Sequence, residues 1–489
     1  MSSTIKIIKE TSINNPNKIA LVINNERITY KEFYDEIKAF SEYLIKKGIK
    51  KGDYVVVKAW CSKHFFISTY GTMLAGGVFV PLERDYNSSQ IEALNKEFGG
   101  VFMLISNDSD SSLEKLLNIN FLSHNSFDTV LKPTDREFDD PVLDDISFVV
   151  YTTGTTGKAK GVCVPYRHLY DAAFNIEGLP YNPNTVLMMP LPPNHVFAIG
   201  RSAVVFSHGA TLVVTDGLNN LDQFYKYVRE EKVNAFVFTP SAINYLLVLT
   251  KDELLSNLNQ YEFFEIGGEK LLKALQESYI NLFKGVRLLI GYASTESGPI
   301  GVYEFSKYGP TENRVGKVTK RVRFYDEKWN EISTDKDHPG FIGYEANWAM
   351  KCYLNSKEET DKVKHGDVIL MSDYGYEDEE GFLCLSGRAG DVIISGAFKI
   401  NPLEVENVAM ESGKFQECVC FGKKDDIFGQ KVALYVVMKK DVPFDKISIR
   451  KYIASKIEKY KVPKIIEKVD KIVRNKMGKI DRKHYKEIQ

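Results

Sequence analysis

Apolar positions along this chain follow two rhythms, and their order predicts the fold. Phe33, Ile37, Phe40 and Leu44 recur at helical spacing, which predicts an amphipathic helix with one buried stripe. Thr29 with Glu32 forms a capping box at its start, and Gly48 closes it. Ahead of that helix, the apolar run 19–23, the Asn24-Asn25 pair and residues 27–29 predict a hairpin. Residues 54–57, 65–74 and 78–82 then read strand, helix, strand, the order expected of a parallel sheet with crossover helices. A helix over 90–98 and a strand over 101–105 continue the alternation. The tract 106–145 is polar, and surface excursions are expected there.

Residues 146–151 form a short apolar run bounded by acidic residues, which predicts a buried strand delivering the next loop to a sheet end. A strand over 187–191 is stopped by Pro190, Pro192 and Pro193. Strand 210–214, helix 221–230, strand 235–239 and a helix after Pro240 predict a second α/β layer. In the last hundred or so residues, strands at 417–421, 431–438 and 464–469 surround a basic helix over 447–459. The fold class is therefore α/β: a large multi-layer N-terminal domain with mixed, largely parallel sheets, and a small α+β C-terminal domain.

With 489 residues the chain has room for two or three domains. A net charge of -1 argues against a nucleic-acid partner held through its phosphates. Six cysteines without a C-x-x-C pair indicate reduced thiols, and Cys418 and Cys420 are spaced as neighbours on one strand face rather than as half a zinc site. The first residues lack the apolar core of a signal peptide, and no run of about 18 apolar residues exists, so a cytoplasmic location without a membrane span is expected.

The stretch 151–162, YTTGTTGKAKGV, carries unusual chemistry. Thr152, Thr153, Thr155 and Thr156 offer hydroxyls, Gly154 and Gly157 let backbone approach a ligand, and Lys158 and Lys160 add cations. Such a segment suits a polyphosphate. It is not a Walker A loop, since Thr152 stands where the first glycine is needed and Ala159 follows Lys158. Elsewhere, His195 opens an apolar segment and reads either as a packed core residue or as a catalytic one. The Gly267-Gly268 pair is either a plain strand-to-helix turn or a place where a ligand lies against backbone.

The Thr/Gly loop resembles the phosphate loop of the adenylate-forming superfamily of acyl-CoA synthetases, luciferases and peptide-synthetase adenylation domains, departing by Ala159 where proline is usual. The resemblance runs from about residue 16 to residue 483 with its motifs in order. It implies that Thr152 to Thr156, Gly157, Lys158 and Lys160 hold ATP phosphates, and that Gly267, Gly268 and Glu269 face adenine or acyl group. GYASTES, with Ala293 in place of the family glycine, would put Tyr292 on adenine, Thr295 at the α-phosphate or carboxylate, and Glu296 on Mg²⁺. His195, Val196, Phe197 and Phe238 would line the acyl pocket. No aspartate stands in the 191–202 segment to hold an ammonium, so an acid without an α-amino group is implied, with fatty and aryl acids both open. Asp373 would take the ribose hydroxyls, with Arg388 beside it.

By the same resemblance the domain border falls between 1–388 and 389–489. Gly390 takes the hinge place, usually Asp or Lys, and Gly396 would line a pantetheine tunnel. Lys479, framed by G-K-I-D-R, would be the catalytic lysine. The implied reaction turns a carboxylic acid and Mg·ATP into acyl-AMP, then transfers the acyl group to a pantetheine thiol, with CoA as the leading acceptor and a carrier protein as the alternative. A non-catalytic nucleotide-binding relative is the third reading, and Glu296, Lys479 and Asp373 speak against it.

Overall fold

The computed structural model describes residues 2–152, 159–388, 390–396, 398–425, 428–474 and 480–487. They fall into two compact units. The first comprises Met1–Gly268, Gly285–Val302 and Glu345–Ile369, and the second Glu269–Lys284, Tyr303–Tyr344 and Leu370–Gln489. This grouping puts 303–344 and 370–388 with the C-terminal residues, and the strands Arg314–Lys317, Phe382–Arg388, Val368–Glu377, Gly340–Glu345 and Val322–Tyr325 pair into one sheet that holds 303–344 to 370–388.

The first unit carries two sheets. An eight-stranded sheet has the order Gly298–Glu304, Arg287–Ser294, Phe263–Ile266, Ala235–Phe238, Val186–Met189, Thr211–Val214, Ile19–Ile23, Glu26–Thr29. Every pair from Arg287–Ser294 to Ile19–Ile23 is parallel, and the expected hairpin closes the edge antiparallel. A seven-stranded sheet has the order Cys352–Tyr353, Lys160–Pro165, Ile146–Thr152, Val78–Leu82, Tyr54–Lys58, Met103–Ser106, Asn120–Ser123. The helix Tyr30–Lys46 begins on the Thr29/Glu32 capping box and buries Phe33, Ile37, Phe40 and Leu44. Helix Lys63–Leu74 is apolar all round and fully enclosed from Phe65 on, as a helix packed on every side must be. Rings connect Phe79 of the seven-stranded sheet through Phe65 and Phe66 to Phe206 of helix Val196–Ser207.

Two segments differ from expectation. Residues 4–14 form a helix capped by Ser3, whose Ile5 and Ile8 are buried. The tract 106–145 is integrated over its first half: Asn120–Ser123 extends the sheet, and Phe127 is fully buried with its ring 4.9 Å from that of Phe40. Scattered apolar residues (Leu113, Leu122, Phe127) suffice to pin such short elements when neighbours supply the rest of the core. No helix of the described residues is long and apolar enough to cross a membrane.

In the second unit, the strands Phe415–Asp425 and Gly429–Met438 form a long antiparallel pair, with Ile465–Lys468 parallel to the latter. Strand periodicity divides their side chains. Cys418 and Cys420 face one core with Leu434, Val436, Val405 and Ile453, while Val419, Phe421 and Tyr435 face another with Ile472 and Tyr485. The basic helix is shorter than expected, Lys446–Ala454, and ends at Ser455.

Candidate active site

Strand Ile146–Thr152 returns antiparallel as Lys160–Pro165, with Thr152 opposite Lys160. The loop between them lies outside the described residues, and with it Thr153, Gly154, Thr155, Thr156, Gly157 and Lys158. The strand that follows is anchored at its first residue. Lys160 Nζ is 2.5 Å from Glu359 Oε2 and 4.9 Å from the centre of the Tyr353 ring. Lys160 and Lys362 hold the Glu359 carboxyl down at about 2.

Tyr353 links strand Lys160–Pro165 to the GYASTES segment. It sits opposite Val162 on the edge strand Cys352–Tyr353, and its hydroxyl donates to Glu296 Oε1 at 2.8 Å. The backbone fixes the same neighbourhood, since the Met350 N–H donates to the Glu296 carbonyl at 2.7 Å. Glu296 Oε2 has no hydrogen-bond partner among the described residues. Burial and the Glu296 charge both push the Tyr353 phenol well above its ordinary range, so it stays a donor. Tyr292 and Ala293 lie on the end of strand Arg287–Ser294, and Thr295 follows in the turn. The turn closes on itself through Ser297 N–H to Ser294 Oγ at 3.0 Å.

Immediately after, Gly298 has φ +74°, and a Cβ there would lie 2.6 Å from His168 Cε1. Only glycine fits such a position. Full burial depresses His168 to about 4, although its Nδ1 pairs with the Trp348 carbonyl at 3.1 Å. Burial, with Lys58 adding to it, also lowers His124 to about 4. Both histidines titrate near 6.5 once unfolded, so the stability they permit is complete above 6.5 and falls as the pH drops toward 4. Urea midpoints for the first unit should therefore fall between pH 7 and pH 5, above the range of ordinary carboxylates; a flat profile would contradict the neutral, buried state of these rings.

On the acyl side, His195 is the N-cap residue of helix Val196–Ser207 without making a side-chain cap, and its Nε2 lies 3.9 Å from Glu83 Oε1. Partly exposed Phe197 projects onto the Gly267-Gly268 turn: a Cβ on Gly267 would be 3.0 Å from Phe197 Cζ. Gly268 has φ +83°, which carries the chain around the turn. Thus Phe197 meets Gly267 at this turn, and His195 and Val196 stand just before it at the start of the helix. Phe238 is enclosed in the sheet core, stacked on Phe236 at 5.0 Å and edge-on to Phe264 at 5.7 Å.

Sequence reasoning missed three residues beside this turn. Glu265, with no exposed surface, accepts from Arg201 Nε at 2.9 Å and Nη2 at 2.5 Å on Oε1, and from the Tyr181 hydroxyl at 2.9 Å on Oε2. The signal was present as one charge in each of two apolar segments, FFEIGG and VFAIGRSAVVF.

In the second unit, Asp373 and Arg388 stand opposite each other on an antiparallel pair, and Arg388 Nε donates to Asp373 Oδ1 at 3.1 Å. Glu269 is partly buried at the start of this unit. A Cβ on Gly390 would meet open space, while Gly396 has φ +61°. Lys479 lies outside the described residues, but both flanks are fixed. Ile480 bridges to Arg474, and Arg482 Nη2 donates to Glu406 Oε2 at 2.9 Å while Nη1 donates to the Cys420 carbonyl at 3.0 Å.

Among the described residues no group of three or more His, Cys, Asp or Glu could hold a metal by itself. A single carboxylate with one oxygen that has no partner among the described residues, such as Glu296, suits a cation held mainly by phosphate oxygens, as Mg²⁺ with a nucleotide is.

Comparison with known proteins adds to this geometry. The family model described as AMP-binding enzyme matches residues 8–354, and that of the AMP-binding enzyme C-terminal domain matches 404–479. The 2-succinylbenzoate–CoA ligase of Geobacillus sp. (strain WCH70) is 24% identical over 482 residues, covering 97% of this chain and 95% of the relative. A long-chain-fatty-acid–CoA ligase of Bacillus subtilis (strain 168) is 25% identical over 533 residues, covering 98% and 93%. Among solved structures, ATP-bound MatB from Rhodopseudomonas palustris superimposes with TM-score 0.89 at 21% identity, covering 100% of both chains. The o-succinylbenzoate CoA synthetase of Bacillus subtilis, in complex with its acyl-adenylate intermediate, gives 0.84 at 21%, covering 100% of this chain and 99% of the other.

Proposed function

The chain belongs to the AMP-binding enzyme family, and from that premise we propose that it is an acid–thiol ligase that activates a carboxylic acid as its acyl adenylate and transfers the acyl group to CoA. The observation that supports the reading is the Lys160–Tyr353–Glu296 array, a cation and a carboxylate gathered around one edge strand. A carboxylate there would repel a bare triphosphate and favours one neutralised by a divalent ion. Glu296 would hold Mg²⁺ through Oε2, and the ion, when bound, supplies charge neutralisation at the phosphate oxygens.

Residues 152–158 and Lys160 cradle the phosphates, Tyr292 and Ala293 with Gly268 and Glu269 receive the adenine side, and Asp373, oriented by Arg388, accepts from the ribose hydroxyls. The substrate carboxylate oxygen attacks the α-phosphorus as the bond to pyrophosphate breaks, and Thr295 and Lys479 donate to the oxygens on which charge accumulates. Residues 389–489 then turn about Gly390, and a pantetheine thiol entering past Gly396 attacks the acyl carbonyl and displaces AMP. His195, Val196, Phe197 and Gly267 hold the acid, which lacks an α-amino group. Free CoA is preferred over a carrier protein as acceptor because the similar curated proteins are CoA ligases by name. A cytoplasmic setting accords with free thiols at all cysteines.

The test is ATP–pyrophosphate exchange over a panel of acids, followed by thioester formation with CoA or with a carrier protein. Acid-dependent exchange and a CoA thioester are expected. Exchange that no acid stimulates would overturn the reading, and thioester on the carrier alone would move it to the alternative acceptor.

A further inference from the structure

The acyl side of the site is bounded by charge. Phe197 and Arg201 are one helical turn apart on helix Val196–Ser207 and so share a face. The Arg201 guanidinium carbon lies 5.4 Å from the centre of the Phe197 ring, and its Nε and Nη2 both engage Glu265. Glu265 in turn abuts the backbone of the neighbouring strand, for a Cβ on Gly291 would be 2.9 Å from Glu265 Oε1. On the other side, Phe197 touches Gly267 closely enough that an added Cβ would crowd it at 3.0 Å. Backbone turn, aromatic ring, guanidinium and carboxylate therefore follow one another in contact. Arg201 is 5% exposed and Glu265 not at all, so the pair is dry.

An alkyl chain laid against Gly267 and Phe197 gains by leaving water only while its neighbours are apolar. Extended further, it would have to displace a guanidinium or a carboxylate whose hydrogen bonds it cannot replace. We propose that Arg201, Glu265 and Tyr181 form the floor of the acyl pocket and set its depth, restricting the enzyme to short acids and excluding long-chain fatty acids. This deepens the ligase reading and rests on it. Arg201 and Glu265 act here as specificity-determining residues, limiting which acids reach the reacting carboxylate position.

The experiment measures kcat/KM for CoA-thioester formation by the full chain with propionate, butyrate, octanoate and palmitate. Butyrate should exceed palmitate by roughly tenfold or more, the scale on which pocket size discriminates hydrocarbon groups. The double variant R201A/E265A removes both charges together, and once its fold is verified by circular dichroism it should shift the preference toward octanoate by about tenfold. A merely structural ion pair would lower every acid alike and leave the length profile in place. Wild-type enzyme that uses palmitate as well as butyrate overturns the proposal whether or not the double variant folds. A folded R201A/E265A with the wild-type profile overturns it too. Silence toward these four acids while exchange responds to other acids would overturn it as well, whereas exchange that no acid stimulates would remove the ligase reading beneath it.

Discussion

Glu265→Ala is expected to destabilise the first unit by about 3–5 kcal/mol, the cost of leaving one partner of a buried ion pair without the other. Arg201 cannot escape by losing its proton, since a guanidinium stays charged throughout the usable pH range. Nor can it reach water easily at 5% exposure. The Tyr181 hydroxyl, which donates to Glu265 Oε2, would lose its acceptor in the same step. R201A/E265A removes more atoms but leaves no lone charge, so it should be the more stable of the two variants despite the larger void. Urea unfolding followed by tryptophan fluorescence and circular dichroism would read both. A Glu265→Ala protein within about 1 kcal/mol of wild type would mean that water already reaches the pair.

That pair also marks the limit of what the sequence discloses. The Thr29/Glu32 cap, the Tyr30–Lys46 helix and the Val78–Leu82 strand were legible because each depends on residues a few positions apart. A single Glu in FFEIGG and a single Arg in an apolar helix announce buried charges, yet their pairing spans 64 positions and only the sheet packing brings them together. Glu296 was singled out from its motif, whereas Tyr353, 57 positions away, entered the site only through an edge strand two residues long. Likewise, Phe238 stands in an apolar strand like any pocket-lining residue, and nothing local tells that the ring packs inward between Phe236 and Phe264. That 303–344 and 370–388 share one sheet follows from strand pairing, which adjacent sequence does not encode.

Lys479→Ala is expected to lower acid-dependent ATP–pyrophosphate exchange by about a hundred- to a thousandfold, the range found when one charge-stabilising donor is removed from a reacting oxyanion. The residue should matter to one half-reaction only. In the proposed reaction its ammonium would answer the charge that accumulates as pyrophosphate leaves, whereas thiol attack on a finished acyl adenylate expels AMP and has no pyrophosphate to neutralise. Supplied with a synthetic acyl adenylate, the variant should therefore transfer the acyl group to CoA within a few-fold of wild type. Loss of fold is not the expected cause of the first effect. The described residues on either side are tied by Arg482, whose side chain is bonded to Glu406 and the Cys420 carbonyl, and by the Arg474–Ile480 bridge, none of which involves the substituted side chain. Arg482→Ala is the contrasting case: it strips a 5%-exposed Glu406 of its cation and should depress both half-reactions through the stability of the second unit. If Lys479→Ala slowed the two half-reactions equally, its cation would be acting on a step they share, and the assignment to the departing pyrophosphate would fail.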